Sequence, residues 1–359
     1  MNCNSNIKNV IEQFVTDVEA NRYGNGHINE TYLIEPCKYI LQKINTDIFT
    51  NCDELMQNIS NVTEFLRKKI VLSGGDPDRE TLTVISTING DTYYRDDNGN
   101  CYRMYLFINN TNTVNSNPTA EQLYSAAKAF GRFQNMLNDY PADTLFETIK
   151  DFHNTPDRFA KLEKAIKDNI AGRRHLVEKE IEFALSCKDW VGYVTEGIAS
   201  GDIPLRVTHN DTKINNVMFD ADTNETICVI DLDTVMPGSM LYDFGDALRI
   251  GAATADEDET DLSKVEFDLT KFEAFAKGFV EEMADSMTAR EGELLAFSAK
   301  LLTYECGIRF LTDYLNGDTY FKIHRENHNL DRARTQFKLV ADMDKKMDKM
   351  NDIVKKYLK

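Results

Sequence analysis

The chain has 359 residues, 59 acidic against 41 Lys and Arg, and a formal net charge of -18, which disfavours nucleic acid and anionic lipid as partners, since either requires a concentrated basic face. With 42% hydrophobic and 28% charged residues it is composed like an ordinary globular protein, too long for one core, so two lobes with an active site between them are expected. Seven dispersed cysteines without a CxxC pair, a start (MNCNSNIKNVIEQF) without a secretory pattern, and no long apolar run lead us to expect a cytoplasmic protein with reduced thiols, monomeric, with neither nucleic acid nor membrane as partner.

Most strand-like segments fall early. Gly24-Asn25-Gly26-His27-Ile28-Asn29 precedes the strand TYLI (31–34) and reads equally as a loop whose amides cover phosphates or as a hairpin turn, with Asn29 where a third glycine would stand. YILQKI (39–44) has the pattern of a strand presenting a phosphate-pairing lysine, yet Gln42 holds the expected position and Lys43 follows it. Alternate strand residues face opposite sides, so Lys43 replaces Gln42 only through a bulge or a changed register. Gly24, Gly26, Asn29 and Lys43 are the nucleotide-binding candidates. Residues 52–72 read as a helix, and TLTVIST (81–87), DTYYR (91–95) and CYRMYLFI (101–108) as strands, the last also a candidate hinge against adenine.

From about residue 118 the pattern turns helical. Leu123, Ala127, Phe130, Phe133, Met136 and Leu137 recur at helical spacing over 119–138, and Thr288 with Glu291 opens a helix whose apolar face runs through Leu294, Phe297, Leu301, Tyr304, Ile308, Leu311 and Leu315. The expected division is residues 1–110, a small β-rich lobe, and residues 111–359, a larger helical lobe.

Residues 208–234, THNDTKINNVMFDADTNETICVIDLDT, interrupt the helices with a polar loop, a strand, a turn, a second strand and an acidic loop. If VMF (217–219) pairs with the strand ending at Ile230, Asn216 and Asp231 stand side by side at the hairpin's open end, with Asp211 arriving from the loop before. Phosphoryl transfer from ATP needs such a set: a carboxylate to take the acceptor's hydroxyl proton, here Asp211, and hard oxygens for Mg2+, here Asn216 and Asp231, with Asp233 assisting through a second ion or a water. The plainer alternative is that NDT and DLDT are turns capping backbone amides. The order His209-x-Asp211 followed by Asn216 matches the kinase catalytic loop, and His209 is read as a brace rather than a proton acceptor. YDFGDALR reads as a helix start supporting the loop, with Arg249 a partner for its carboxylates, and His27, His153, His324 and His328 lack metal-ligand spacing.

THNDTKINN with VIDLDTVMPGSMLYDFGDALRIGA resembles the aminoglycoside phosphotransferase and choline kinase superfamily, and within it the N-acetylhexosamine 1-kinases. The likeness extends through YGNGHINETYLI, YILQKINTDIF, DFHNTPDRF, IPLRVTHNDTK and LLTYECGIRFLTDYLNGDTYF. It implies an α+β, two-lobed protein-kinase-like fold and transfer of the ATP γ-phosphoryl group, with Mg2+, to the anomeric hydroxyl of N-acetylglucosamine or N-acetylgalactosamine. Asp211 is then the base, Asn216 and Asp231 the metal positions, and Asp211, Thr234, Arg309 and Tyr320 the sugar-binding residues. Two other readings stay open: a kinase of the same superfamily for another small hydroxyl compound, and a catalytically silent nucleotide binder.

Overall fold

The computed structural model describes residues 5–15, 19–24, 28–36 and 38–358. They form two compact units, one of Met1–Thr113, Asp139–Lys150 and Asn216–Pro237, the other of Val114–Asn138, Asp151–Asn215 and Gly238–Lys359. An antiparallel sheet dominates the first and helices the second, the α+β class expected from the sequence. Among the described residues no helix is long and apolar enough to cross a membrane.

The first unit contains helices α1 (Ser5–Ile11), α2 (Cys52–Leu72) and α3 (Pro77–Glu80). Its strands are β1 (Ala20–Arg22), β2 (Glu30–Ile34), β3 (Tyr39–Lys43), β4 (Val84–Ile85), β5 (Tyr94–Arg95), β6 (Cys101–Leu106) and β7 (Thr111–Asn112). The sheet runs β1-β2-β3-β6-β4, with β5 also on β6. The strands expected over 81–87 and 91–95 shrink to two residues each. β4 pairs with Tyr105 and Met104 and β5 with Tyr102 and Cys101, so the two divide one edge of β6 between them.

Helix α2 spans the expected residues. Asn51 caps it, its Oδ1 accepting from the amides of Asp53 and Glu54 at 3.2 and 3.3 Å, and Leu55, Ile59, Val62, Leu66 and Ile70 form its buried stripe. Asn58 interrupts that stripe with a purpose. Its Nδ2 donates to the carbonyls of Phe146 and Val235 at 2.8 and 3.0 Å, and its Oδ1 accepts from the Phe146 amide at 2.9 Å. One buried amide thus ties both returning segments to the helix, satisfying backbone groups that would be costly to leave unpaired. The segment 216–237 carries the hairpin Val217–Asp220 and Thr226–Val229, with β7 added along the first of these strands.

The second unit is built from α4 (Ala120–Met136), α5 (Thr155–Asp168), α6 (Glu178–Ser186), α7 (Tyr193–Ser200), α8 (Met240–Gly251), α9 (Leu269–Met283), α10 (Ala289–Asn316) and α11 (His328–Tyr357). Both expected helices are present, each opened by a full capping box, Thr119 with Gln122 and Thr288 with Glu291. Helix α10 is the spine: it packs on α5, α8 and α11, burying Tyr304, Ile308, Leu311 and Leu315 against Phe159, Leu162 and Val340. The close approach of α8 explains Gly245, where a Cβ would stand 2.4 Å from the Ser298 carbonyl oxygen.

Candidate active site

In the second unit the chain enters the polar loop from the strand Arg206–Thr208. Arg206 fastens that entry: Nε and Nη2 donate to the two Glu291 oxygens at 2.7 and 2.8 Å, and Nη2 also reaches the Ser286 carbonyl at 2.6 Å. Glu291 is fully buried and also closes the α10 capping box, so both charges are desolvated and held by fork-like bonds.

The loop backbone hangs from α8. The amides of His209 and Asn210 donate to the two oxygens of Asp243 at 2.9 and 2.7 Å, the Thr212 amide donates to Asp246 at 3.1 Å, and Thr212 Oγ1 donates to the Asp243 carbonyl at 2.6 Å. Gln134 adds a side-chain donor to Asp243. Burial pushes the Asp243 carboxyl up while His209 and the amide bonds oppose it. Arg249 pairs with Asp246 at 3.2 Å, as the sequence reading of 241–249 expects. Asn210 takes φ 65°, a left-handed conformation that asparagine tolerates better than most residues.

Two histidines brace this loop. His209 is fully buried, its Nδ1 accepting the Asp211 amide at 3.2 Å and its ring meeting Phe130 and Phe133 edge-on. His153, absent from the sequence-derived candidates, lies with Nδ1 at 2.9 Å from Glu305 Oε1 and Nε2 at 3.2 Å from the Asn210 carbonyl. Both partners only accept, so both ring nitrogens donate and the ring is an imidazolium. Burial pulls its pKa down, but the Glu305 carboxylate more than compensates and the pKa is raised.

Asp211 thus arrives on a loop fixed on several sides. Lys213 Nζ stands 2.7 Å from its Oδ1. Burial alone would raise the Asp211 pKa; Lys213 first, then His209 and Arg249, hold it below the ordinary carboxylate value. A carboxylate so held stays ionised down to acidic pH. Replacing Lys213 with methionine removes the largest opposing charge, so the acid limb of the kcat/KM profile is expected to move to higher pH. An unmoved limb would detach Lys213 from the base.

Beyond His153, its ring neighbour Phe152 lies under the Arg309 guanidinium at 5.8 Å, and Phe321 on another side at 5.5 Å. Arg158 of α5 donates to the Phe152 carbonyl at 3.1 Å, while its buried Nε has no hydrogen-bond partner among the described residues. Burial and then the charge of Arg309 lower the Arg158 pKa. Tyr320 shows its ring to solvent, 72% exposed, while buried Asp313 fixes its segment by accepting the amides of Thr319, Tyr320 and Phe321, each at 2.9 Å.

In the first unit the hairpin pairs Val217 with Val229, and the Ile230 amide donates to the Asn216 carbonyl at 2.9 Å. Asn216 and Asp231 therefore adjoin across its open end, the pairing that the sequence predicts. Asp231 sits at φ 62°, ψ 57°, an uncommon conformation that turns the chain sharply into Leu232–Thr234. An amide and a carboxylate oxygen there suit a hard, oxygen-seeking cation such as Mg2+. Asp233, expected to assist that pair, lies in the following turn. It is buried, ion-paired with Arg103, and accepts from Asn29 Nδ2 at 2.6 Å, so its carboxylate is engaged within the protein. Thr234 is buried in the same turn.

Gln42 and Arg103 are cross-strand neighbours on β3 and β6. Gln42 Oε1 accepts from Arg103 Nε and Nη2 at 3.0 and 2.9 Å. Lys43 follows the regular register, opposite Glu30 and Tyr102, so no bulge brings it to the Gln42 face; its charge acts instead on Glu30 and Asp96. Asn29 also accepts the Asn45 amide at 2.9 Å. Gly24 has φ 72°, and Gly26 lies outside the described residues. An arginine inside the otherwise apolar CYRMYLFI was the signal for Arg103, and nothing comparable marked His153 or Arg158.

Residues 19–276 match the phosphotransferase enzyme family. Among solved structures, a microcompartment-associated aminopropanol kinase is 13% identical over 97% of this chain and 98% of its own, with a TM-score of 0.60. An aminoglycoside phosphotransferase from Alicyclobacillus acidocaldarius is 11% identical over 98% and 95%, with a TM-score of 0.58. A choline kinase from Cryptosporidium parvum is 12% identical over 98% of each chain, with a TM-score of 0.57. At such identities the likeness speaks for the fold.

Proposed function

The chain belongs to the phosphotransferase enzyme family, and from that premise we propose that it transfers the γ-phosphoryl group of ATP to the anomeric hydroxyl of an N-acetylhexosamine. Asp211 takes the hydroxyl proton as the sugar oxygen bonds to phosphorus and the bond to the ADP oxygen breaks, leaving sugar 1-phosphate and ADP. Asn216 and Asp231 hold Mg2+, which offsets negative charge on the phosphates. The glycine segment with Gly24 and Gly26 supplies backbone amides to the nucleotide, and Asn29 ties that segment to Asp233. Thr234, Arg309 and Tyr320 meet the sugar.

The observation that carries the acceptor assignment is the pairing of two guanidiniums, Arg158 and Arg309, with Phe152 and Phe321 beside the histidine that braces the catalytic loop. Aromatic faces and fork-shaped donors suit a neutral sugar bearing an acetamido carbonyl. Two adjacent cations disfavour an acceptor that is itself cationic, whatever the overall charge of -18. An amino alcohol, a choline-like or an aminoglycoside acceptor is therefore the weaker reading.

The test is a product assay with ATP and magnesium against N-acetylhexosamines, glucose, galactose, choline and kanamycin, with phosphorus NMR locating the new phosphate. An anomeric phosphate on an N-acetylhexosamine is expected. Phosphate on choline or kanamycin would overturn the acceptor assignment, and no turnover on any acceptor would favour a silent nucleotide binder.

A further inference from the structure

Arg103 is only 1% exposed and lies in the middle of a strand whose other residues are apolar or aromatic. Burying a guanidinium is costly unless its charge and its donors are met. Gln42 Oε1 takes two of the N–H groups, and the Asp233 carboxylate meets the charge as an ion pair at the remaining nitrogen. Gln42 is itself oriented, its Nε2 donating to Thr31 Oγ1 at 3.3 Å, so its oxygen is the atom turned to the arginine. Asn29 holds the other Asp233 oxygen. The result is a chain of contacts, Thr31–Gln42–Arg103–Asp233–Asn29, that ends in the turn carrying Asp231.

We infer that Arg103, oriented by Gln42, is the positioning residue for this turn: it balances Asp233, fixes the left-handed bend at Asp231 and thereby sets the affinity of the Asn216–Asp231 pair for a divalent cation. The carboxylates of exposed Asp231 and buried Asp233 lie two residues apart in one turn and repel one another unless one is neutralised, and the buried one is the one that meets a cation. Arg103 senses both acids: burial opposes its charge, and Asp233, Tyr105 and Asp231 raise its pKa above the ordinary value. Gln42, neutral where a cation was expected, is the acceptor that the arginine on the next strand requires. A lysine at position 42 would place a second cation beside the buried Arg103 guanidinium.

The inference rests on the ATP-magnesium reading above and is tested without any sugar. Mn2+ binding in the presence of ADP is followed by electron paramagnetic resonance, with metal-free thermal melts confirming the fold. Arg103→Met combined with Asp233→Asn removes both charges together and leaves none stranded. It is expected to stay folded and to bind Mn2+ roughly 10- to 100-fold more weakly, the scale on which outer partners of metal ligands act. Gln42→Lys combined with Arg103→Met moves the cation one strand over with Asp233 intact, and is expected to recover at least half of that loss on a logarithmic scale. Unchanged affinity in the first variant, or no recovery in a folded second one, overturns the role of Arg103. Failure of the unaltered chain to bind Mn2+ with ADP at all would instead overturn the reading on which the inference rests.

Discussion

Asp211→Asn is expected to keep the fold and nucleotide binding and to lower turnover by roughly 10²-fold or more, the scale of losing a general base. The amide fills the same space on a loop whose backbone is held by Asp243, Asp246 and His153, so no collapse should follow. What is lost is the anion facing Lys213 and, on the proposed reaction, the proton acceptor. A residual rate is expected because an acceptor held in line still gains from positioning. Single-turnover measurement with saturating ATP is the check, alongside ADP binding by calorimetry. Near-normal turnover would remove Asp211 from the mechanism.

The second large effect concerns stability. His153→Leu leaves the Glu305 carboxylate buried with Thr155 Oγ1 as its remaining hydrogen bond, at 2.6 Å, and unties the Asn210 carbonyl. Removing one partner of a buried ion pair costs about 3–5 kcal/mol, so a marked fall in the denaturant midpoint is expected. His153→Leu with Glu305→Leu should be less harmful than His153→Leu alone, since no charge is stranded; equal or greater loss would show that packing rather than charge is decisive.

The pair also carries a pH signature. The raised His153 pKa means that its contribution is full below about pH 6.5, the unfolded value, and is lost as pH rises through the folded pKa. Burial would raise the Glu305 pKa, but His153 and Thr155 hold it down, so its contribution is full above about pH 4.3 and is lost as pH falls through the lowered folded value. Stability supplied by the pair is therefore greatest between those limits. The double leucine variant should lose this dependence.

Local sequence spoke most clearly where local physics decides. The helix over 52–72 has its cap and apolar stripe within itself, as does α10 with Thr288 and Glu291, and the 208–234 hairpin follows from two short strands around a polar turn. Asp211, Asn216 and Asp231 could be proposed together because they lie within one short stretch. The two-residue lengths of β4 and β5 were not legible, because each depends on sharing β6 with the other.

By itself, then, the sequence determined the α+β class, the main helices, the hairpin within 208–234 and the family resemblance, since all of these reside in spacing along the chain. The tertiary structure decided which polar and charged groups meet: His153 with Glu305, 152 residues apart, and the Asn29 amide with the Asp233 carboxylate, 204 residues apart, together with the ion pair of Arg103 and Asp233. Such partners carry no periodicity and no shared motif. A buried charge stays only where folding delivers its counterpart, and that condition is met in three dimensions rather than along the chain.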